Sequence, residues 1–555
     1  MPPRTGLMQD WPLLTSTILR HASLVHGKRA LVSRTVEGNL HRYTYADMSH
    51  RAELLAHALG HSLGVSLGDV VGTMAWNTYR HVEAWYAIMG VGAVCHTLNP
   101  RLFTEQLVYI ANHGEDQAIF VDVDLLPVLE KMYPSLPALK HVVVLTDRAH
   151  MPKRSSIPAL LCYEEILAEA ESRKLGPYKW PVFSEETACG LCYTSGTTGN
   201  PKGVMYSHRS NVLHALLGAQ APCFNLSPAE TILAVVPMFH ANSWGIAFAA
   251  PMTGAALILP GPNMDGASIY SLLESERVTV TAAVPTVWLG LLQHLEASNL
   301  QLNHLKIMNV GGAACPRMLL EKFENVYKVE VRALWGMTEL SPIGTMAPMG
   351  IDPSLSYEDR IALKLRQGYP VYGVEMKVVD DNGNELPRDG ESCGHLMVRG
   401  PAITKSYFKG DGSVLDKDGY FDTGDVSTLH PDSLMQITDR AKDVIKSGGE
   451  WISSIEIENE AVGHPQVMEA AVIGVEHPKW TERPLLVIVA KDPSNPPPKA
   501  DIYKFLEGKI ATWWMPDDIV YVKEIPHTAT GKIEKKKLRS DFAASGYKLP
   551  MQAKL

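Results

Sequence analysis

Tyr193-Thr194-Ser195-Gly196-Thr197-Thr198-Gly199-Asn200-Pro201-Lys202-Gly203 follows the apolar run Cys189-Gly190-Leu191-Cys192. A short buried strand here opens into a turn with four hydroxyl residues, three glycines and a lysine. Glycines let backbone N–H groups approach an anion, hydroxyls donate further hydrogen bonds, and Lys202 supplies a full positive charge. The combination suits a polyphosphate. It is not a Walker A loop, because Lys202 follows a proline and no Ser or Thr comes after it.

Working outward, short apolar runs alternate with amphipathic stretches through most of the first 350 residues, as at Val70–Met74, Ala118–Val121 and His141–Leu145. That alternation predicts an α/β protein with largely parallel sheets. After about Gly368 the character changes. Glu375–Asp380 and His395–Val398 read as short strands parted by Asp-Asn-Gly and Asp-Gly turns, a small β-rich subdomain. From near Asp439 a third region has strands at Ala470–Val475 and Leu485–Val489, a surface loop at Pro496-Pro497-Pro498, and a helix over about Lys499–Thr512. The predicted architecture is a large N-terminal body of two α/β subdomains plus the β-rich subdomain (about 368–438), spanning 1–438, and a small mobile α+β C-terminal domain, 443–555.

With 555 residues the chain exceeds what one hydrophobic core serves. The net charge of −9 is spread along the sequence and argues against nucleic acid as the main partner. The basic run Lys535-Lys536-Lys537 reads as a solvated helix face. Seven cysteines make no disulfide framework and point to a reducing, cytoplasmic compartment. Cys189 and Cys192 form a CxxC without a second pair, and read as buried strand residues. The longest charge-free stretch, Thr231–Met264, is broken by prolines and reads as buried interior or pocket lining, with no transmembrane segment. The last residues, Ala553-Lys554-Leu555, are similar to a peroxisomal address, which leaves the peroxisomal matrix as the alternative location.

Five further strings stand downstream: Val310-Gly311-Gly312-Ala313-Ala314; Trp335-Gly336-Met337-Thr338-Glu339; Tyr420 to Asp425; Asp439 to Glu450; and Thr530-Gly531-Lys532-Ile533. Together with the loop at 193–203, and in this order over nearly the whole chain, they resemble the adenylate-forming superfamily. That superfamily includes acyl- and aryl-CoA synthetases, luciferases and peptide-synthetase adenylation domains. The resemblance implies ATP, Mg²⁺ and, as co-substrate, CoA, with a carboxylic acid joined first to AMP and then to the thiol.

By that resemblance Thr194, Ser195, Gly196, Thr197, Thr198, Gly199 and Lys202 would cradle the phosphates. Gly312, Ala313, Ala314, Trp335, Gly336 and Met337 would form the adenine slot; a flat aromatic beside small residues fits a stacked purine. Thr338 would hold the α-phosphate, Glu339 and Thr194 would help bind Mg²⁺, and Asp425 would accept the ribose hydroxyls. Lys532 would meet the carboxylate and the α-phosphate, where a fixed cation stabilises charge that builds up in the transition state. Residues 439–442, with Arg440 and Lys442, look like the hinge about which the C-terminal lid rotates between half-reactions. Ser447, Gly448, Gly449 and Glu450 would then line the thiol tunnel, and Lys446 is counted with the cofactor-binding residues.

Trp451-Ile452-Ser453-Ser454, Pro237 to Gly245, and His96 to Leu102 are similar to the fatty-acyl branch, including bacterial medium-chain and methylmercaptopropionate–CoA ligases. His240 (also counted with the catalytic set), Trp244, Gly311 and Trp451 are the acyl-pocket candidates. The expected acid is aliphatic and of short to medium length. Methylmercaptopropionate, long-chain and aryl acids stay open, as do a carrier-loading acyl-AMP ligase, a luciferase-like oxygenase and a homodimeric assembly.

Overall fold

The computed structural model describes residues 6–194, 200–447, 450–528 and 532–549. Ser195, Gly196, Thr197, Thr198, Gly199, Gly448, Gly449, Thr530, Gly531, the side chains of Glu450 and Trp451, and the C-terminal tripeptide lie outside the described residues.

Four sheets organise the described residues. A seven-stranded sheet runs in the order Leu161–Cys162, His141–Val144, Ala118–Val121, Val70–Met74, Val94–Thr97, Ala188–Thr194 and Lys202–Ser207. It is parallel except for its last pair. The nine-stranded sheet has a parallel centre, from Glu330–Gly336 through Ile307–Val310, Val280–Ala283, Thr231–Ala234 and Ala256–Leu259 to Ala30–Arg34. Antiparallel strands close both of its edges. The main apolar cluster draws on both sheets and on the helices Thr15–His26, Tyr45–His61, Tyr79–Gly90 and Ile246–Thr253. Tyr79–Gly90 is buried on every face, as expected of a helix between two layers.

The β-rich subdomain is an antiparallel four-stranded sheet over Glu375–Val379, Gly394–Arg399, Phe421–Leu429 and Met435–Arg440. A separate sheet begins at Ile445–Ser447 and is built on the hairpin Val467–His477 and Thr481–Ala490. Among the described residues no helix is long and apolar enough to cross a membrane.

The expected strands lie within a residue or two of their sequence positions in the N-terminal body and extend further in the C-terminal hairpin. Cys189 and Cys192 are buried and free, and their odd spacing on one strand sends them to opposite faces. The charge-free stretch folds into buried strands and the buried helix Ile246–Thr253. Two expectations are corrected. The helix from Lys499 ends at Leu506, because Gly508 takes φ 74° and turns the chain before Thr512. Lys535 is not solvated: it opens the helix Lys535–Ala544 at 8% exposure and pairs with buried Glu458 at 2.8 Å, while Lys536 and Lys537 face outward.

Candidate active site

In parallel sheets the carboxyl ends of the strands gather ligands, because side chains and backbone there converge without covering helices. Thr194, Gly311, Gly312 and Trp335 to Glu339 sit at or just past such ends. Thr194 closes the strand Ala188–Thr194 and lies opposite Lys202 in antiparallel register. Lys202 is exposed, and its Nζ stands 4.7 Å from the centroid of the Tyr407 ring.

The strand Ile307–Val310 delivers Gly311 and Gly312. A Cβ on Gly311 would come within 2.4 Å of Leu334 Cδ1 and 3.0 Å of the Trp244 ring, so any larger residue must displace the Leu334 side chain or press on Trp244. Gly312 turns with φ 80° and leads to Ala313 and Ala314, which stay partly or fully exposed.

Glu330–Gly336 brings in Trp335, whose indole N–H donates to Asp425 Oδ2 at 2.8 Å. Trp335 packs against Gly344 and is 7% exposed, so much of its ring is held by the core of the β-rich subdomain. Gly336 permits a close approach to the Pro342 carbonyl, which a Cβ would meet at 2.1 Å. Met337 then leads into the single turn Thr338–Leu340, where Thr338 and Glu339 are buried and the Tyr206 hydroxyl donates to the Thr338 carbonyl. Burial pushes the Glu339 carboxyl upward, opposed by the Tyr407 hydroxyl and the Lys532 ammonium.

Lys532 comes from the other end of the chain. Its backbone closes a small loop, with Thr528 N donating to Lys532 O and Lys532 N to Thr528 Oγ1. A Cβ on Gly312 would lie 3.9 Å from Lys532 Cε. Burial lowers the ammonium to about 8, the Arg440 and Lys442 cations push the same way, and Asp425 and Glu339 oppose. Burial likewise raises the Asp425 carboxyl, against the pull of Arg440, 3.9 Å away across the register pair Asp425–Arg440. Lys532 thus faces two carboxyls, with Arg440 beside one of them, in a poorly solvated pocket where charge counts for more than in water.

On the opposite side His240 is kept neutral, its imidazole lowered to about 4 by burial and by the Lys532 ammonium. It borders a small cavity with Thr97, Asn99, Leu102, Ile110, Tyr193 and Phe239. Four consecutive residues after it, Ala241, Asn242, Ser243 and Trp244, take positive φ, and Gly245 follows at 77°. Left-handed backbone costs about 1–2 kcal/mol per L-residue, so the surroundings must hold it. Asn242 Nδ2 donates to Asn211 Oδ1, Ser243 Oγ donates to the Val236 carbonyl, and Gly245 lies against His214. The result aims the Trp244 ring at Gly311 and Gly312.

Lys446 and Ser447 stand elsewhere, in the C-terminal sheet. Ser447 is fully buried and accepts from Arg483, and the Lys446 N–H donates to Glu482. Arg440 reaches the site, and Lys442 lies exposed next along the chain. Sequence reasoning missed Tyr407 and the buried polar face of His208–Ala219, whose His214 accepts the Ile343 N–H just past the Glu339 turn. Their signal is only three-dimensional. No glycine, charge run or periodicity marks them.

The donor set fits Mg²⁺. Among the described residues no three His, Cys, Asp or Glu gather as a protein cage for a metal. A single buried carboxylate with a hydroxyl nearby suits an ion that keeps most of its ligands on phosphate and water.

Residues 19–408 match the AMP-binding enzyme family, and residues 456–532 match the AMP-binding enzyme C-terminal domain. The 3-methylmercaptopropionyl-CoA ligase of Ruegeria lacuscaerulensis is 45% identical over 538 residues, 97% of this chain and 98% of its own. The medium-chain-fatty-acid–CoA ligase of Ectopseudomonas oleovorans is 45% identical, with 97% of both chains covered. The anthranilate CoA ligase AuaEII, solved with anthranoyl-AMP, superposes with a TM-score of 0.85 at 26% identity, over 97% of this chain and 100% of that one. The chain belongs to the AMP-binding enzyme family, in its adenylate-forming acyl–CoA ligase branch.

Proposed function

We propose that the protein joins a short- to medium-chain aliphatic acid to CoA in two steps, and that one site serves both. ATP and the carboxylate first give acyl-AMP and pyrophosphate; CoA then displaces AMP and leaves the thioester. The observation that carries this reading is the position of Lys532, half-buried among Glu339, Asp425 and Gly312, where residues from parallel strand ends meet the β-rich subdomain.

In the first step the carboxylate oxygen attacks the α-phosphorus. Lys532, as a cation, would neutralise charge building up between the two, and Thr338 would orient the α-phosphate. Asp425, steadied by Trp335, would accept the ribose hydroxyls. Thr194 and Glu339 would hold Mg²⁺, which when bound supplies further charge neutralisation to the phosphate oxygens. Neutral His240 would lie along the acyl carboxylate without adding charge.

For the second step residues 439–442 would act as the hinge, with 1–438 as the body and 443–555 as the lid. Lys532 would leave, and Lys446 and Ser447, now packed in the C-terminal sheet, would approach the adenylate. Seven free thiols agree with a reducing, cytoplasmic setting.

The apolar surroundings of Trp244, and the charge-free stretch that contains it, support an uncharged aliphatic chain. Methylmercaptopropionate is the second reading, since a thioether chain has similar length and polarity and the ligases named above include one for it. Pyrophosphate and AMP release with ATP, Mg²⁺ and CoA should be measured over acids from acetate to palmitate, with methylmercaptopropionate and cinnamate included. CoA-dependent turnover peaking between four and ten carbons, as a rough range, supports the reading. Adenylate formation without CoA consumption would replace it with carrier loading.

A further inference from the structure

Tyr407 stands where two of the site's strings meet, and neither string contains it. The segment 402–408 is stitched to both. Ser341 Oγ donates to the Ala402 carbonyl and Thr404 N to the Glu339 carbonyl, each at 2.8 Å, which ties the segment to the turn that carries Glu339. Phe408 N donates to the Gly203 carbonyl at 2.8 Å, which ties it to the strand that carries Lys202. Between these anchors the Tyr407 hydroxyl donates to Glu339 Oε1 at 2.9 Å. The Lys202 ammonium stands 4.7 Å from the centroid of the same ring. The ring is itself held, packed beside Cys192, Val204 and Tyr206 and edge-on to Phe421.

We propose that Tyr407 is a positioning residue for the polyphosphate end of ATP, its hydroxyl fixing the Glu339 carboxylate and its ring face holding the Lys202 ammonium over the pocket. This rests on the ATP-dependent reading above. The Glu339 carboxylate is held by its own backbone N–H and, on Oε1, by the Tyr407 hydroxyl, and the side-chain donor fixes which way its oxygens point. Without that donor the carboxylate is costlier and freer to turn. Lys202 makes no ion pair with a carboxylate among the described residues; the contact with the ring is weak enough to be exchanged for phosphate oxygens. Tyr407 therefore couples the cation and the acid that would flank the phosphates, and sets both before ATP arrives.

The test compares the wild type with Y407F and Y407L by calorimetric titration with ATP, with and without Mg²⁺, and by the KM and kcat of ATP–pyrophosphate exchange with octanoate. Y407F keeps the ring, so its affinity for metal-free ATP should stay within about twofold of wild type. With Mg²⁺ it should bind ATP about tenfold more weakly, and its KM for ATP should rise by a similar factor while kcat falls less. Y407L should in addition weaken metal-free ATP by roughly threefold through Lys202. Equal losses with and without Mg²⁺, or wild-type binding by Y407F, overturn the proposal. Thermal melting checks that Y407F is folded, and E339Q with its Y407F double variant gives an independent measurement. Adding Y407F to E339Q should cost nothing more with Mg²⁺ if the hydroxyl acts through Glu339, and a fully additive loss overturns the proposal. A wild type that binds no ATP overturns the ATP reading as well; a wild type that binds beside an unaltered Y407F overturns this inference alone.

Discussion

Trp335 and Asp425, ninety positions apart, are joined by a single hydrogen bond of 2.8 Å from the indole N–H to the carboxylate. The bond links the end of a parallel strand to the antiparallel sheet of the β-rich subdomain, and so fixes where the Asp425 carboxylate, the proposed ribose acceptor, stands. Trp335→Phe keeps most of the packing and removes the donor. A hydrogen bond to a charged group is worth about 1.5–3 kcal/mol, so the KM for ATP should rise by about tenfold with kcat little changed. Steady-state kinetics check this. An unchanged KM would mean that Arg440 alone suffices to hold the carboxylate.

How much of this was legible beforehand follows from where the information lies. Gly311, Gly312, Trp335 to Glu339, Asp425 and Lys532 stand in short contiguous strings, and a string can be read in one dimension. Tyr407 cannot, because its meaning lies in a contact 68 residues away with Glu339 and in a ring under Lys202. Lys535 misled for the same reason: three lysines in a row look solvated, yet the first faces Glu458 across a helix packing that no local pattern reports. The left-handed turn at Ala241–Trp244 left no trace either, since left-handed backbone is read from glycines and only Gly245 is one.

Lys532→Ala should separate the half-reactions. Adenylation should fall about 10²–10³-fold, the usual loss on removing one charge-stabilising donor. Thioester formation from supplied acyl-AMP and CoA should stay within about threefold of wild type, because by then Lys532 would have left the site. Rapid-quench measurement of each step decides it. Equal loss in both steps would remove the lysine from its assigned role.

The same lysine sets a pH limit. Burial brings its ammonium down to about 8, well below the usual lysine value, so it loses its proton as pH rises through that point. In the proposed adenylation step the cation is the active form. In the free enzyme kcat/KM for ATP in adenylation should therefore be flat below about pH 7.5 and decline above 8, with roughly one proton lost. Lys532→Arg, which stays charged, should lower the rate but remove this decline. A wild-type profile flat to pH 10 would contradict the assignment.

Lys442→Pro tests the hinge. Lys442 is exposed, and among the described residues its N–H donates to no backbone carbonyl, so proline removes no backbone hydrogen bond there and acts by fixing φ. Adenylate formation should persist within about threefold and CoA-dependent turnover should drop by at least about a hundredfold, as expected when a gating motion is blocked. Loss of both steps together would point to misfolding or to a hinge elsewhere.

Trp244 gives the sharpest test of substrate length. Trp244 is 5% exposed and its ring would touch a Cβ on Gly311, so it fills space beside Gly311 and Gly312, where the proposed acyl pocket begins. Trp244→Ala removes that volume at a stability cost of about 3–5 kcal/mol, typical of a large buried aromatic, and thermal melting will register it. The space gained should shift the preferred acid toward longer chains, with the ratio of kcat/KM for dodecanoate over butyrate rising at least about tenfold, since each buried methylene is worth about 0.8 kcal/mol. Gly311→Ala works in the opposite sense. Its Cβ would press on Leu334 and Trp244, and the same ratio should fall. If both variants lose activity evenly across the acid series, Trp244 serves packing alone and the length of the pocket is set by other residues.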